Sequence, residues 1–147
     1  GGIVRYDFLT TDLFEEYDMH LVFTGVTRNS KNVLKSVTDN IHKAKPLLKT
    51  ADKAYKALLD DDHEKFLDLL NKSWDQKKET TSIITDNQTI KDMDTKLQEN
   101  ESVRAHKLCG AGNGGFFLTF SEKNSLTIPY HSAKINVETN GVYGQIV

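Results

Sequence analysis

Over Ile3–Phe8 apolar and polar residues alternate with a period of two, Val4, Tyr6 and Phe8 interleaving with Arg5 and Asp7, which predicts a half-buried strand. The acid-rich segment Asp12–Asp18 reads as a solvated turn. Met19–Val26 is an unbroken β-favouring run ending at Thr24-Gly25, the pattern of a central strand covered on both faces. From residue 30 the spacing lengthens to three and four. Val33, Leu34, Val37, Ile41 and Ala44 form one stripe, with Asn29 or Ser30 placed to cap it. Leu47, Leu48, Ala51, Ala54, Tyr55, Leu58 and Leu59 form a second after Pro46, which suits a first helical turn. Phe66, Leu69, Leu70 and Trp74 form a third, and Ile90, Met93 and Leu97 a fourth. Asp61 with Glu64 has the spacing of a capping box, and Trp74 falls on a core face. Lys77-Lys78 fit a solvated helix C-terminus, where cations are favoured by the helix dipole.

Strand character returns at Arg104–Cys109, Phe116–Phe120 and Ile135–Val147, with hairpin signals at Asn113-Gly114 and Asn140-Gly141. Four helices between residues 30 and 100, set among these strands, predict one α+β domain over 1–147: an antiparallel sheet with helices packed on one face. The most unusual stretch joins two of the strands. Gly110, Ala111, Gly112, Asn113, Gly114 and Gly115 put four glycines into six residues. Glycine is costly to order and is kept where the backbone needs positive φ or a close approach. Consecutive N–H groups on such a loop can form a concave nest for phosphate oxygens.

Two phosphate-loop readings fail on context. Gly110, Gly112 and Gly115 satisfy G-x-G-x-x-G, but that pattern needs a helix after it, whereas Phe116–Phe120 reads as a strand. No Lys-Ser or Lys-Thr follows the glycines, so G-x-x-x-x-G-K-[ST] is absent as well. A hairpin tip remains as the local reading, and a hairpin tip can also cradle a ligand.

Lys107-Leu108-Cys109-Gly110-Ala111-Gly112-Asn113-Gly114-Gly115-Phe116 resembles the third motif, K-L-x-G-A-G-x-G-G, of the GHMP family of small-molecule kinases. Leu21–Ser30 and Leu70–Lys78 resemble stretches of its sugar-kinase branch, the heptose 7-phosphate kinase type, in the same order along the chain. Asn113 stands where the family commonly has glycine, and Asn tolerates the left-handed backbone. The resemblance implies a ferredoxin-like C-terminal half of such a kinase, consistent with a chain that opens on Gly1-Gly2 and a strand rather than on Met. It implies phosphoryl transfer from ATP, with Mg2+, to a sugar or sugar phosphate. The P-x-x-x-G-L-G-S-S loop of the family's ATP-binding half has no counterpart in these 147 residues. The base, the metal ligands and bound ATP are therefore expected from an N-terminal kinase half, with none held by this chain alone. Gly110–Gly115 would close on the phosphate, and Thr24, Gly25 and Arg28 would form part of the sugar pocket.

Composition narrows the field without changing the outline. With 37% hydrophobic and 27% charged residues and a net charge of −2, nothing favours a nucleic-acid partner. No apolar run approaches the roughly 20 residues of a membrane span, and a single Cys109 suits a reducing cytoplasm. The five histidines are scattered, with His106 alone near the glycine loop, so neither a His-based triad nor a zinc set assembles. Asp60-Asp61-Asp62-His63-Glu64 lacks the alternating ligands and glycine turn of a hard-cation loop. The competing class is a non-catalytic ferredoxin-like module that binds a small effector, since fold alone does not decide function.

Overall fold

A computed structural model describes residues 2–4, 7–27 and 30–138. Its elements are α1 (Leu13–Glu16), β1 (Tyr17–Phe23), α2 (Ser30–Asp39), α3 (Lys45–Leu59), α4 (His63–Thr80), α5 (Gln88–Glu99), β2 (Ala105–Leu108), β3 (Phe116–Glu122) and β4 (Ser132–Ile135). Short 3-10 turns at Ile41–Ala44 and Ser82–Thr85 link the helices. The four strands form one antiparallel sheet in the order β2-β3-β1-β4. Since β1 and β2 are each antiparallel to β3, they run the same way with β3 between them, which is the split order of a ferredoxin-like sheet. The α+β architecture expected from the sequence is therefore present, with β1 central and all four helices of the 30–100 region in place.

Each sheet face carries its own core. Val22, Leu108 and Phe117 share one face through their register and pack with Val33, Ile84, Ile90, Met93 and Leu97. This is the face that α2 and α5 cover. Met19, Ala105 and Phe120 are matched across the other face and pack with Leu13 and Leu67. α4 serves both cores, because Trp74 meets Phe117 edge-on and Phe66 meets Phe120 in the same way, although the two phenylalanines point to opposite sides of β3.

That dual role follows from where α4 lies. Asn71 donates its amide to the carbonyl of Arg104 at 3.1 Å and accepts from the N–H of His106 at 3.1 Å. One side chain thus takes the place of a neighbouring strand along β2. Unpaired edges invite strand addition, and a helix laid over one is a recognised way to prevent it. Nearer the start of α4, Arg104 makes ion pairs with Glu64 and Asp68, both at 2.7 Å, and Glu64 accepts from the hydroxyl of Tyr17. Burial and that carboxylate push the tyrosine pKa up to about 12.

Four local expectations need correction. Ile3, Val4, Asp7 and Phe8 join no strand; Ile3, Val4 and Phe8 are exposed, and both flanks of β1 are already taken by β3 and β4. The segment expected as a solvated turn instead holds α1 and the start of β1. There Asp18 is buried and kept ionised by the N–H of Asn124, against the cost of burial, with Lys134 and Lys123 beside it. The cap of α4 is Asp62, which accepts from the N–H of Lys65 at 3.2 Å, while Asp61 takes a positive φ of 50° and pairs with His63. Finally, among the described residues a strand begins earlier than expected, at Ser132–Ile135, and 136–138 are not part of it. The Asn140-Gly141 hairpin and Val142–Val147 lie outside the described residues, as do Arg5, Tyr6, Arg28 and Asn29.

Asn71→Ala leaves a carbonyl and an N–H of β2 without partners in a partly buried position. Its midpoint in urea denaturation should fall by an amount worth about 1–3 kcal/mol, whereas Lys72→Ala on the exposed side of the same turn should leave the midpoint unchanged.

Candidate functional site

The hairpin joining β2 to β3 is longer than the two-residue turn that Asn-Gly signals. Cys109 donates its N–H to the carbonyl of Phe116 at 2.8 Å, and within this closure Gly110, Gly112, Asn113, Gly114 and Gly115 all take positive φ. Five positions in six adopt a backbone that most side chains resist, which accounts for the glycine content. A strand, β3, follows directly, so the dinucleotide pattern is excluded by structure as it was by sequence.

The loop is held from several sides. Asn113 donates its N–H to the carbonyl of Ile84 at 2.7 Å, and its side-chain oxygen accepts from the N–H of Asn87 at 2.9 Å. Asn87 is itself the cap of α5, accepting from Thr89 and Ile90. A glycine at position 113 would lose the second of these contacts, so the departure from the usual motif has a structural use. Gly115 donates to the carbonyl of Val26 at 3.2 Å, and its own carbonyl accepts from the Thr24 hydroxyl at 2.6 Å and the Thr24 N–H at 3.2 Å. Lys77 donates its ammonium to the carbonyl of Gly110. The N–H groups of Gly110, Ala111, Gly112 and Gly114 donate to no acceptor among the described residues. These are the donors that an anion would meet.

The structure therefore brings together the three stretches singled out in the sequence. Thr24 is buried under the loop and bonds to it rather than facing outward. Gly25, with φ 69°, has open space where a Cβ would stand. Gly25 and Gly115 line one open pocket of about 430 Å3 with Phe23, Val26, Thr27 and Phe116. Arg28 lies outside the described residues.

A buried polar cluster joins α4, α5 and β2. Asp94, with 7% of its surface exposed, accepts on Oδ1 from the Trp74 indole at 2.7 Å and faces His106 Nε2 at 2.7 Å. Its Oδ2 accepts from Lys78 at 2.8 Å, and that ammonium also sits 5.3 Å from the centre of the Trp74 ring. Burial opposes the charge on Asp94, but His106, Lys78 and Trp74 outweigh it and hold the carboxyl down at about 2. Lys77 and Lys78 are thus not a solvated helix end: one reaches the loop and the other the buried carboxylate. The spacing of Trp74 and Lys78, four residues apart on one face, was the available signal. Asp94 gave none, since it falls among the apolar positions of α5. Among the described residues no group of His, Cys, Asp or Glu is arranged to hold a metal ion.

No family model matches the chain, and no curated protein matches it. Among solved structures it is similar to L. major mevalonate kinase, crystallised with R-mevalonate, at a TM-score of 0.59 and 16% identity. The alignment covers 74% of this chain and 35% of that one, so the chain spans about a third of that kinase. At this identity the likeness is one of fold. The chain has the fold of part of a GHMP kinase.

Two outcomes follow from this geometry. A Cβ on Gly112 would stand 2.9 Å from Ile84 Cγ2 and 3.1 Å from its Cα, at a φ of 113°. Gly112→Ala should therefore lower thermal stability by about 2–4 kcal/mol through strain and overpacking, and Gly25→Ala, strained but unobstructed, by about 1–2 kcal/mol. The second outcome concerns acid. Because the Asp94 carboxyl sits below its ordinary value of 3.8, its contribution is complete above that value and is lost as pH falls toward 2. It amounts to roughly 2 kcal/mol. Asp94→Asn should be less stable than wild type at neutral pH, and the gap should narrow between pH 4 and 2 in parallel urea titrations.

Proposed function

We propose that this chain is the C-terminal domain of an ATP-dependent GHMP-type kinase that phosphorylates a sugar or sugar phosphate. The observation that carries the proposal is convergence: the three stretches resembling GHMP-family kinases meet at the glycine loop, in a fold shared with a GHMP kinase. The sugar, rather than an acyclic alcohol such as the neighbour's mevalonate, rests on Leu21–Ser30 and Leu70–Lys78 alone.

In this reading the N–H groups of Gly110, Ala111, Gly112 and Gly114 receive phosphate oxygens, acting as fixed donors aimed at developing charge. Lys77 stands on the Gly110 carbonyl and brings a positive charge to the same loop. The donor set suits an anion, so a nucleotide's phosphates fit here. It does not suit Mg2+ by itself, since no carboxylate cluster is present among the described residues. ATP, when bound, supplies the transferred phosphoryl group; its main loop, the metal ligands and the base come from an N-terminal half. Thr24 anchors the loop and Gly25 lines the pocket beside it, while Arg28 is assigned to the sugar by the resemblance alone. Such a kinase works in the cytoplasm, where Cys109 stays reduced.

The test is reconstitution. The 147-residue chain alone should release no ADP from ATP, and mixing it with a separately expressed GHMP-type ATP-binding half should give ADP only when sugar is added. ADP formed by the chain alone, or a complex of the two halves that stays inert across a panel of sugars, would overturn the proposal.

A further inference from the structure

Phe23 and Phe116 end neighbouring strands beside the glycine loop. They are matched in register, their ring centres are 5.1 Å apart at 79°, and they remain 41% and 42% exposed. Other exposed apolar residues, such as Leu48 and Leu59 on α3, are unremarkable on a protein surface. This pair is different because it walls the open pocket that Gly25, Val26, Thr27 and Gly115 complete. At about 430 Å3 the pocket is within the range of small-ligand sites.

We infer that Phe23 and Phe116 form a stacking platform for the ring of a cyclic sugar whose acceptor hydroxyl points to the glycine loop, an inference that rests on the kinase reading above. An edge-to-face pair leaves ring faces uncovered by its own partner, and those faces carry the negative side of the aromatic quadrupole. The C–H groups on one face of a sugar ring are weakly positive and apolar together, so they match such a surface. Two further features fit a hydroxylated ring. Gly25 and Gly115, without side chains, let a ligand come close to the backbone, and Thr27 offers a hydroxyl at the rim. An acyclic alcohol has no flat face to lay on the rings, so the platform selects ring substrates over open-chain ones.

The test uses the 15N-labelled chain and four probes: glucose 6-phosphate, glucose, glycerol 3-phosphate and adenosine. Glucose 6-phosphate and glucose should both shift the amides of Phe23, Gly25, Thr27 and Phe116. Phe116→Leu, which keeps apolar bulk but removes the ring, should weaken glucose 6-phosphate by roughly three- to tenfold, and Phe116→Trp should restore it. Equal shifts from glycerol 3-phosphate, preferential binding of adenosine, or unchanged affinity in Phe116→Leu would each overturn the inference. So would an absence of shifts from either glucose or its phosphate. Inorganic phosphate is titrated separately: failure to move Gly110–Gly114 counts against the kinase reading of the loop, and glucose alone still reports on the platform.

Discussion

The carboxylate of Asp94 is the point on which the site's scaffold depends. It joins α5, which carries it, to α4 through Trp74 and Lys78 and to β2 through His106. β2 and α4 then each reach the glycine loop, the first through the chain itself and the second through Lys77. A buried charge of this kind is stabilising only while its partners are all present, because removing one leaves the others desolvated and unmatched. The helix and the strand that reach the loop are thus tied to one another several residues away from its glycines.

Around that anchor the loop is held at both ends of its course. Asn113 ties it to Ile84 and to the cap of α5, while Gly115 ties it to Thr24 and Val26 after β1. Positive φ at five positions would leave an isolated loop with many conformations to lose on ordering. Here the constraint comes from contacts already made in the fold, so the loop's unused N–H groups are held in fixed positions.

The sequence made the elements legible wherever burial imposed a period. Val33 to Val37, Phe66 to Trp74 and Ile90 to Leu97 marked helices, and the glycines before Phe116 marked the hairpin. It misled at Ile3–Phe8, which alternates although its described residues join no strand and both flanks of β1 are taken. It was silent where side chains act across the fold. Nothing in the spacing of Asp94, His106 and Asn71 tells that they meet, because polar residues at helical and strand positions look alike whether they point to water or to each other. The candidate site divides in the same way. The glycines and Thr24-Gly25 stood out as motifs, but the bond of Thr24 to the Gly115 carbonyl, and of Lys77 to that of Gly110, needed tertiary structure.

Asn71 also bears on how copies of the chain can associate. By bonding the Arg104 carbonyl and the His106 N–H, it occupies groups along β2 that another strand would need. Joining sheets side by side without limit requires two usable sides on every copy. With those groups taken and α4 laid alongside, joining of sheets edge to edge through β2 is opposed by a side chain of the same chain.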